Sequence, residues 1–189
     1  MIFDSRPWKK ELHKLSQRLY KVSLHSKMSE AKAVSCEKTI FISAYIIRKL
    51  SEASKLSYEL KSISCPIKKY SNVKHVDLLN WHNISRTFDL SHPIQSTLNI
   101  KSLCNYLIHS FVFVFAYDEN DFLCGFYFTS DWEKNKGLYF MDIKDFIKMV
   151  QIVANDEKMQ ARYIRDENGD FKEVDPNSTE IFEGSSIIP

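Results

Sequence analysis

Residues 111–129 read FVFVFAYDENDFLCGFYFT, in which two apolar segments flank the polar turn DEND. Aromatic and β-branched side chains at a spacing of two are typical of strands, so we predict a hairpin of Phe111–Tyr117 and Phe122–Thr129. We expect its aromatic side chains to pack a sheet against helices rather than to stack on nucleic-acid bases. These side chains are Phe111, Phe113, Phe115, Phe126 and Phe128.

The segments after this hairpin predict further short elements. Gly137–Met141 is a candidate third strand, and Asp142 is a good N-cap for a helix that ends near Ala154. The pair Asn168-Gly169 favours a two-residue turn, which predicts a second and more polar hairpin. The last dozen residues are expected to be a loosely held tail.

The part of the chain before residue 111 has mainly helical spacing. Apolar residues recur every three or four positions in two long segments and in a shorter one that Asn99 would cap. We expect the stretches between them to be a basic connector (63–74), a short helix (77–82) and irregular chain (83–98). The three predicted helices are Pro7–Ser26, Ser29–Ser62 and Asn99–Ser110.

This order of elements predicts an α+β protein with a helical-bundle core, followed by a small antiparallel β-meander, a further helix and a terminal hairpin. We predict a helical bundle over residues 1–112 and an extension over residues 113–189. Because both parts share one core, we expect the chain to form one domain. A chain of 189 residues is long enough to bury a real core. Its low content of glycine (4) and proline (5) argues against a disordered chain. Four cysteines without a CxxC pair, no signal peptide and no long apolar segment predict a cytoplasmic protein without membrane contact.

Charge is divided unevenly along the chain. Residues 1–75 carry a net charge of +10 and residues 76–189 carry −8, although the whole chain has only +2. The two halves could solvate opposite faces of one domain, or the basic half could bind nucleic acid or an acidic partner. The acidic tail could also cover that basic surface. Candidate nucleic-acid-binding residues are Arg48, Lys49, Lys68, Lys69 and Arg86.

The stretch CNYLIHS, residues 104–110, carries the candidate chemistry. On a helical wheel Cys104 falls on the apolar stripe, whereas Asn105 and His109 lie four residues apart on the polar side. His109 could transfer protons near neutral pH, or it could simply be hydrogen-bonded to Asn105 or to a backbone carbonyl. Neither a metal nor a cofactor is expected, because the spacing of His75, Asp77 and His82 matches no recognised ligand pattern.

A helical bundle that carries a polar residue and a histidine on a late helix resembles the HEPN superfamily. Many members are metal-independent endoribonucleases with an Arg-x4-6-His motif, often Arg-Asn-x-x-x-His. Asn105 and His109 match that motif, and Cys104 takes the place of its arginine. The resemblance implies a histidine for proton transfer, an arginine for the phosphate and a cleft between two subunits. A neutral thiol cannot replace a guanidinium that grips phosphate with two donors, so the motif is degenerate.

Three functions follow as hypotheses. The first is an RNA-associated or defence-type binding component, working as a homodimer or with a protein partner. The second is an active metal-independent endoribonuclease that uses His109, with Asn105 beside it and a cation supplied by Arg48, Lys49 or Arg86. The third is an interaction module without catalysis, such as an antitoxin, immunity or assembly protein. The sequence leaves open whether the chain is an enzyme.

Overall fold

The computed structural model describes residues 2–25, 27–158, 162–166 and 168–176. It contains six helices and seven strands in these ranges. The helices are α1 (Arg6–His25), α2 (Glu30–Glu52), α3 (Tyr58–Lys61), α4 (Ile84–Thr87), α5 (Ile100–Ile108) and α6 (Ile143–Ala154). The strands are β1 (Ser64–Ser71), β2 (Ile94–Asn99), β3 (Ser110–Tyr117), β4 (Leu123–Ser130), β5 (Gly137–Asp142), β6 (Arg162–Arg165) and β7 (Phe171–Val174).

A five-stranded antiparallel sheet in the order β2-β1-β5-β4-β3 forms the centre of the molecule. The α+β class is therefore right, but the predicted helical-bundle core with an appended meander is wrong. The physical reason is that β1, from the first half of the chain, pairs with the meander strand β5 on one side and with β2 on the other, which completes one sheet. The long helices bury their apolar stripes against this sheet and each other.

The main core lies between one face of the sheet and helices α1, α2, α5 and α6. Phe126 and Phe128 of β4 are fully buried there and pack on each other, and Phe126 also packs on Phe146 of α6. Phe113 and Phe115 of β3 join the same cluster. The prediction that alternating aromatics pack a sheet on helices is confirmed for these four phenylalanines, whereas Phe111 lies in a second cluster.

That second cluster lies on the opposite face of the sheet. The connector between β1 and β2 crosses this face and buries Val76 and Phe88 against Tyr70, Val112 and Leu138. Burial raises the pKa of the Tyr70 hydroxyl to about 12, with Tyr127 adding to the shift. The connector is thus a cover for the second face, and the expected short helix at 77–82 is a hydrogen-bonded turn from Asp77 to Trp81.

Strands β1 and β2 are the clearest departure from the expected elements. The segment predicted to be a basic connector forms β1, and the segment predicted to be irregular contains α4 and β2. Pro66 lies within β1 opposite Thr97 of β2, at a position where β5 has not yet begun to pair. A proline is tolerated there because only one side of the strand is occupied.

Helix boundaries follow the predicted caps with one exception. Asn99 accepts a hydrogen bond from the Ser102 amide at the start of α5, and Asp142 accepts one from the Lys144 amide at the start of α6, which confirms both N-caps. The helix predicted for Ser29–Ser62 instead ends at Glu52, and Ser54 takes a positive φ of 52° before the short α3 begins. α1 matches its predicted range.

The predicted terminal hairpin is confirmed as β6 and β7, with Gly169 at a φ of 82° in the turn. Glu173 of β7 is almost buried and lies 2.6 Å from Lys61 Nζ and 2.6 Å from Lys158 Nζ. Most of the expected C-terminal tail lies outside the described residues. No helix in the described ranges is long and apolar enough to cross a membrane.

Candidate functional site

A cleft of about 330 Å³ opens between the C-terminal half of α2, the short α3 and the start of α5. Its walls are apolar at Ile47, Leu56 and Leu60. Cations stand at three positions around it, one from each helix. These are Arg48, Lys61 and Lys101.

Arg48 of α2 reaches across to the predicted catalytic histidine. Its Nη1 lies 3.1 Å from His109 Nε2, and its Nε donates a hydrogen bond of 2.7 Å to Glu52. A guanidinium has only donors, so Nε2 of His109 is the acceptor in this hydrogen bond. The guanidinium beside His109 therefore comes from α2, whereas the motif itself lies on α5.

His109 lies at the end of α5 rather than within it. The helix ends at Ile108, and His109 is the C-cap residue, directly before β3. Its side chain is exposed, which allows access from solvent. The sequence suggested Asn105 or a backbone carbonyl as the hydrogen-bond partner of the imidazole. The structure shows Arg48 as the partner instead.

Asn105 faces the same cleft from one turn earlier in α5. Its Oδ1 is buried and has no hydrogen-bond partner among the described residues. An unsatisfied buried carbonyl oxygen costs roughly 1–3 kcal/mol, which a ligand with an N–H or O–H donor could recover. Asn105 is therefore a candidate binding group in the cleft.

Cys104 does not take part in chemistry at this site. The residue is fully buried, and burial raises the pKa of its thiol far above the ordinary value, with Cys65 adding to the shift. A thiol held protonated is neither a nucleophile nor a phosphate ligand. The prediction that Cys104 packs in the core is confirmed.

Glu52 balances the positive charge beside the cleft. Its carboxylate binds Lys49 Nζ at 2.8 Å through one oxygen and Arg48 through the other. Lys49 and then Arg48 hold the pKa of Glu52 below its usual value. The i,i+4 spacing of Arg48 and Glu52 would have allowed this pair to be found in the sequence, whereas nothing in the sequence indicated Lys61 or Lys101.

The other predicted nucleic-acid-binding residues do not join this cleft. Lys68 lies over the Phe140 ring on the sheet face opposite the helices, and Lys69 lies over the Tyr139 ring. Arg86 is exposed on α4 in the connector. Lys49 lies on α2 near the cleft and over the Tyr45 ring. Of the five basic residues, only Arg48 lines the cavity.

No group of three metal-ligating side chains comes together within the described residues. No family model matches the chain, and neither the curated proteins nor the solved structures contain a match to it. The HEPN resemblance therefore stays a prediction that rests on the Asn105 and His109 pattern.

Proposed function

We propose that this protein is an RNA-associated binding component that holds a nucleotide of single-stranded RNA in the cleft between α2 and α5. The observation that carries the proposal is the contact between Arg48 Nη1 and His109 Nε2 at 3.1 Å. It sets a guanidinium beside the histidine, at a site whose local motif has Cys104 in place of an arginine. Arginine binds phosphate oxygens with paired donors, which suits the backbone of RNA.

The charges around the cleft support an anionic ligand. Lys101 at the start of α5 is exposed and has no ion pair among the residues that the structure describes. Arg48 has donor groups beyond those that bind Glu52 and His109. Phosphate contacts of this kind supply most of the affinity in sequence-independent RNA binding.

The interior of the cleft supports a planar polar ligand such as a nucleobase. Ile47, Leu56 and Leu60 offer apolar walls, and Asn105 Oδ1 offers an acceptor without a partner. A volume of about 330 Å³ lies at the small end of the range for ligand sites. RNA-binding proteins commonly hold an unstacked base between apolar walls and hydrogen-bond its edge. Four free cysteines support a reducing compartment, the cytoplasm.

Binding of a labelled single-stranded RNA, followed by fluorescence anisotropy over a salt series, tests this proposal. We expect Arg48→Ala to weaken binding by roughly tenfold or more and to reduce the salt slope, since it removes charge-assisted hydrogen bonds. Arg86→Ala is the matched control, because it removes an exposed arginine far from the cleft. Equal effects of the two variants, or no RNA binding by the wild type at low salt, would contradict the proposal.

Metal-independent cleavage of RNA is the second candidate function, and the same contact favours it. When Arg48 turns from His109 to the phosphate, Nε2 of the imidazole can take the proton of a 2′-hydroxyl while Arg48 stabilises charge on the phosphorus oxygens. The 2′-oxygen then bonds to phosphorus, and the bond to the 5′-oxygen breaks as that oxygen takes a proton from a water molecule. The imidazolium afterwards returns its proton to the solvent. Incubation of end-labelled RNA in EDTA tests this function. Cleavage that His109→Ala abolishes supports it, and intact RNA at every protein concentration excludes it.

A further inference from the structure

The outer edge of β3 is an apolar strand without a strand neighbour among the described residues. β3 is the last strand of the sheet and pairs only with β4. About half of its main-chain N–H and C=O groups therefore point away from the sheet. Natural proteins protect such edges with lysine, proline or short strands, but the eight residues SFVFVFAY contain no charge and no proline.

Helix α2 extends this apolar edge. Phe41 of α2 packs on Phe113 of β3 with ring centroids 4.9 Å apart, so the helix lies directly above the edge. On the same side of α2, Val34, Ile42 and Tyr45 remain 45%, 48% and 48% exposed. Glu37 and Lys38 are exposed on the same stretch of the helix, so this face combines apolar and charged side chains. We call Val34, Ile42, Tyr45 and the outer edge of β3 the α2–β3 surface.

We propose that two copies of this chain associate through the α2–β3 surface, pairing their β3 strands antiparallel into one continuous sheet. A two-fold axis perpendicular to the sheet keeps the helices of both copies on the same face. If the axis passes at Val114, Phe113 lies opposite the partner's Phe115, and Val112 lies opposite the partner's Ala116. Side chains of the same kind then meet on each face, as cross-strand pairs require.

A second copy suits this surface better than an extended peptide does. A peptide that adds to β3 would satisfy its main-chain groups but would leave Val34, Ile42 and Tyr45 in water. A second copy brings its own α2, whose Val34, Ile42 and Tyr45 pack against the first α2 across the axis. An edge strand alone is a small contact, and the two helices add the area that a stable dimer needs.

Dimerisation of this kind would also bring two RNA-binding clefts to one assembly. Arg48 lines the cleft and follows Tyr45 by three residues on α2, so each cleft lies next to the shared surface. Two linked clefts can bind one RNA with higher avidity than either cleft alone. The dimer does not depend on the RNA-binding proposal, because it rests on the strand edge and the helix surface.

Sedimentation equilibrium of the full chain over a concentration series tests the dimer. We expect Ile42→Glu to raise the dimer dissociation constant by roughly tenfold or more, since it places an unpaired charge in the contact. Ile94→Glu is the matched control: Ile94 is 56% exposed on the opposite edge, in β2, and its variant should associate like the wild type. Circular dichroism checks that both variants fold.

Three outcomes would overturn the proposal. They are a wild-type chain that stays monomeric at every concentration, a dimer that Ile42→Glu does not weaken, and equal dissociation of the Ile42→Glu and Ile94→Glu variants. Tyr45→Glu is a second exposed variant on the same helix and keeps the test decisive if Ile42→Glu fails to fold. It should weaken the dimer to a similar extent.

Discussion

The two edges of the central sheet differ in almost every property that governs association. β2 at one edge reads IQSTLN, and five of its six residues are exposed. β3 at the other edge reads SFVFVFAY, and only Tyr117 is exposed. The polar edge is suited to water, whereas the apolar edge is flanked by exposed apolar residues of α2. The difference indicates that the β3 edge, and not the β2 edge, is suited to association with another strand.

The largest expected effect comes from shortening a side chain at each edge. Phe113→Ala on β3 should lower the free energy of unfolding by about 3 kcal/mol, because Phe113 packs against Phe41, Phe115 and Phe126. Ile94→Ala on β2 should change it by about 0.5 kcal/mol or less. Urea denaturation measures both values. Equal losses would remove the contrast between the edges.

An added methyl group in the middle of the sheet should have the next largest effect. A Cβ at Gly125 of β4 would lie 2.5 Å from the Phe140 ring and 2.5 Å from the Met141 carbonyl oxygen. Gly125→Ala should therefore cost about 1–3 kcal/mol and disturb the β4–β5 pairing rather than β2. Thermal unfolding checks the loss, and a variant as stable as the wild type would show that the ring moves aside freely.

Local patterns were enough to predict the β3 side of the molecule. The phenylalanines at every second position, the DEND turn and the capping residue Asp142 act through near neighbours, so the hairpin and α6 appear where they were expected. The β2 side could not be predicted in this way. β1 contains Pro66, Lys68 and Lys69 and becomes a strand only because β2 and β5 pair with it from distant parts of the chain.

The candidate site, like the fold, could be predicted only where it depends on residues close together in the sequence. Asn105 and His109 followed from helical spacing, because both belong to one short segment. The contact of Arg48 with His109 joins residues 61 positions apart, and only the packing of α2 on α5 establishes it. Arg48 was one of three cations considered, and nothing in the spacing distinguished it from Lys49 or Arg86.

The terminal hairpin should respond to pH, unlike either edge of the sheet. Burial alone would raise the pKa of Glu173, but hydrogen bonds from Lys158 and Lys61 outweigh it and the pKa lies below its ordinary value. Its carboxylate thus stabilises the fold above the unfolded-state pKa of about 4.3, and this contribution is lost as the pH falls through the lower folded-state pKa. Glu173→Gln should cost about 2 kcal/mol at neutral pH.

Urea denaturation at neutral and acidic pH measures the Glu173 effect. The difference between wild type and Glu173→Gln should vanish in acid, where the wild-type carboxyl is protonated too. Glu119→Gln in the exposed turn between β3 and β4 is the control and should change stability little at either pH. A difference for Glu173→Gln that persists in acid would assign the loss to packing instead of charge.

The smallest effect is expected where β2 passes into α5. Asn99 Oδ1 accepts a hydrogen bond of 2.7 Å from the Ser102 amide, so Asn99→Ala should cost about 1 kcal/mol. Asn99→Asp keeps the acceptor and should restore most of the stability. Thermal unfolding of the two variants measures this, and equal melting temperatures for them would show that the cap contributes nothing.

Amide hydrogen exchange at a low and a high protein concentration tests the contrast between the two edges most directly. We expect amides of β3 (Ser110–Tyr117) to exchange more slowly at the higher concentration, because a second copy then pairs with the strand. Amides of β2 (Ile94–Asn99) should exchange at the same rate at both concentrations. Exchange of β3 that does not depend on concentration, or equal slowing of both strands, would contradict the assignment of the α2–β3 surface to self-association.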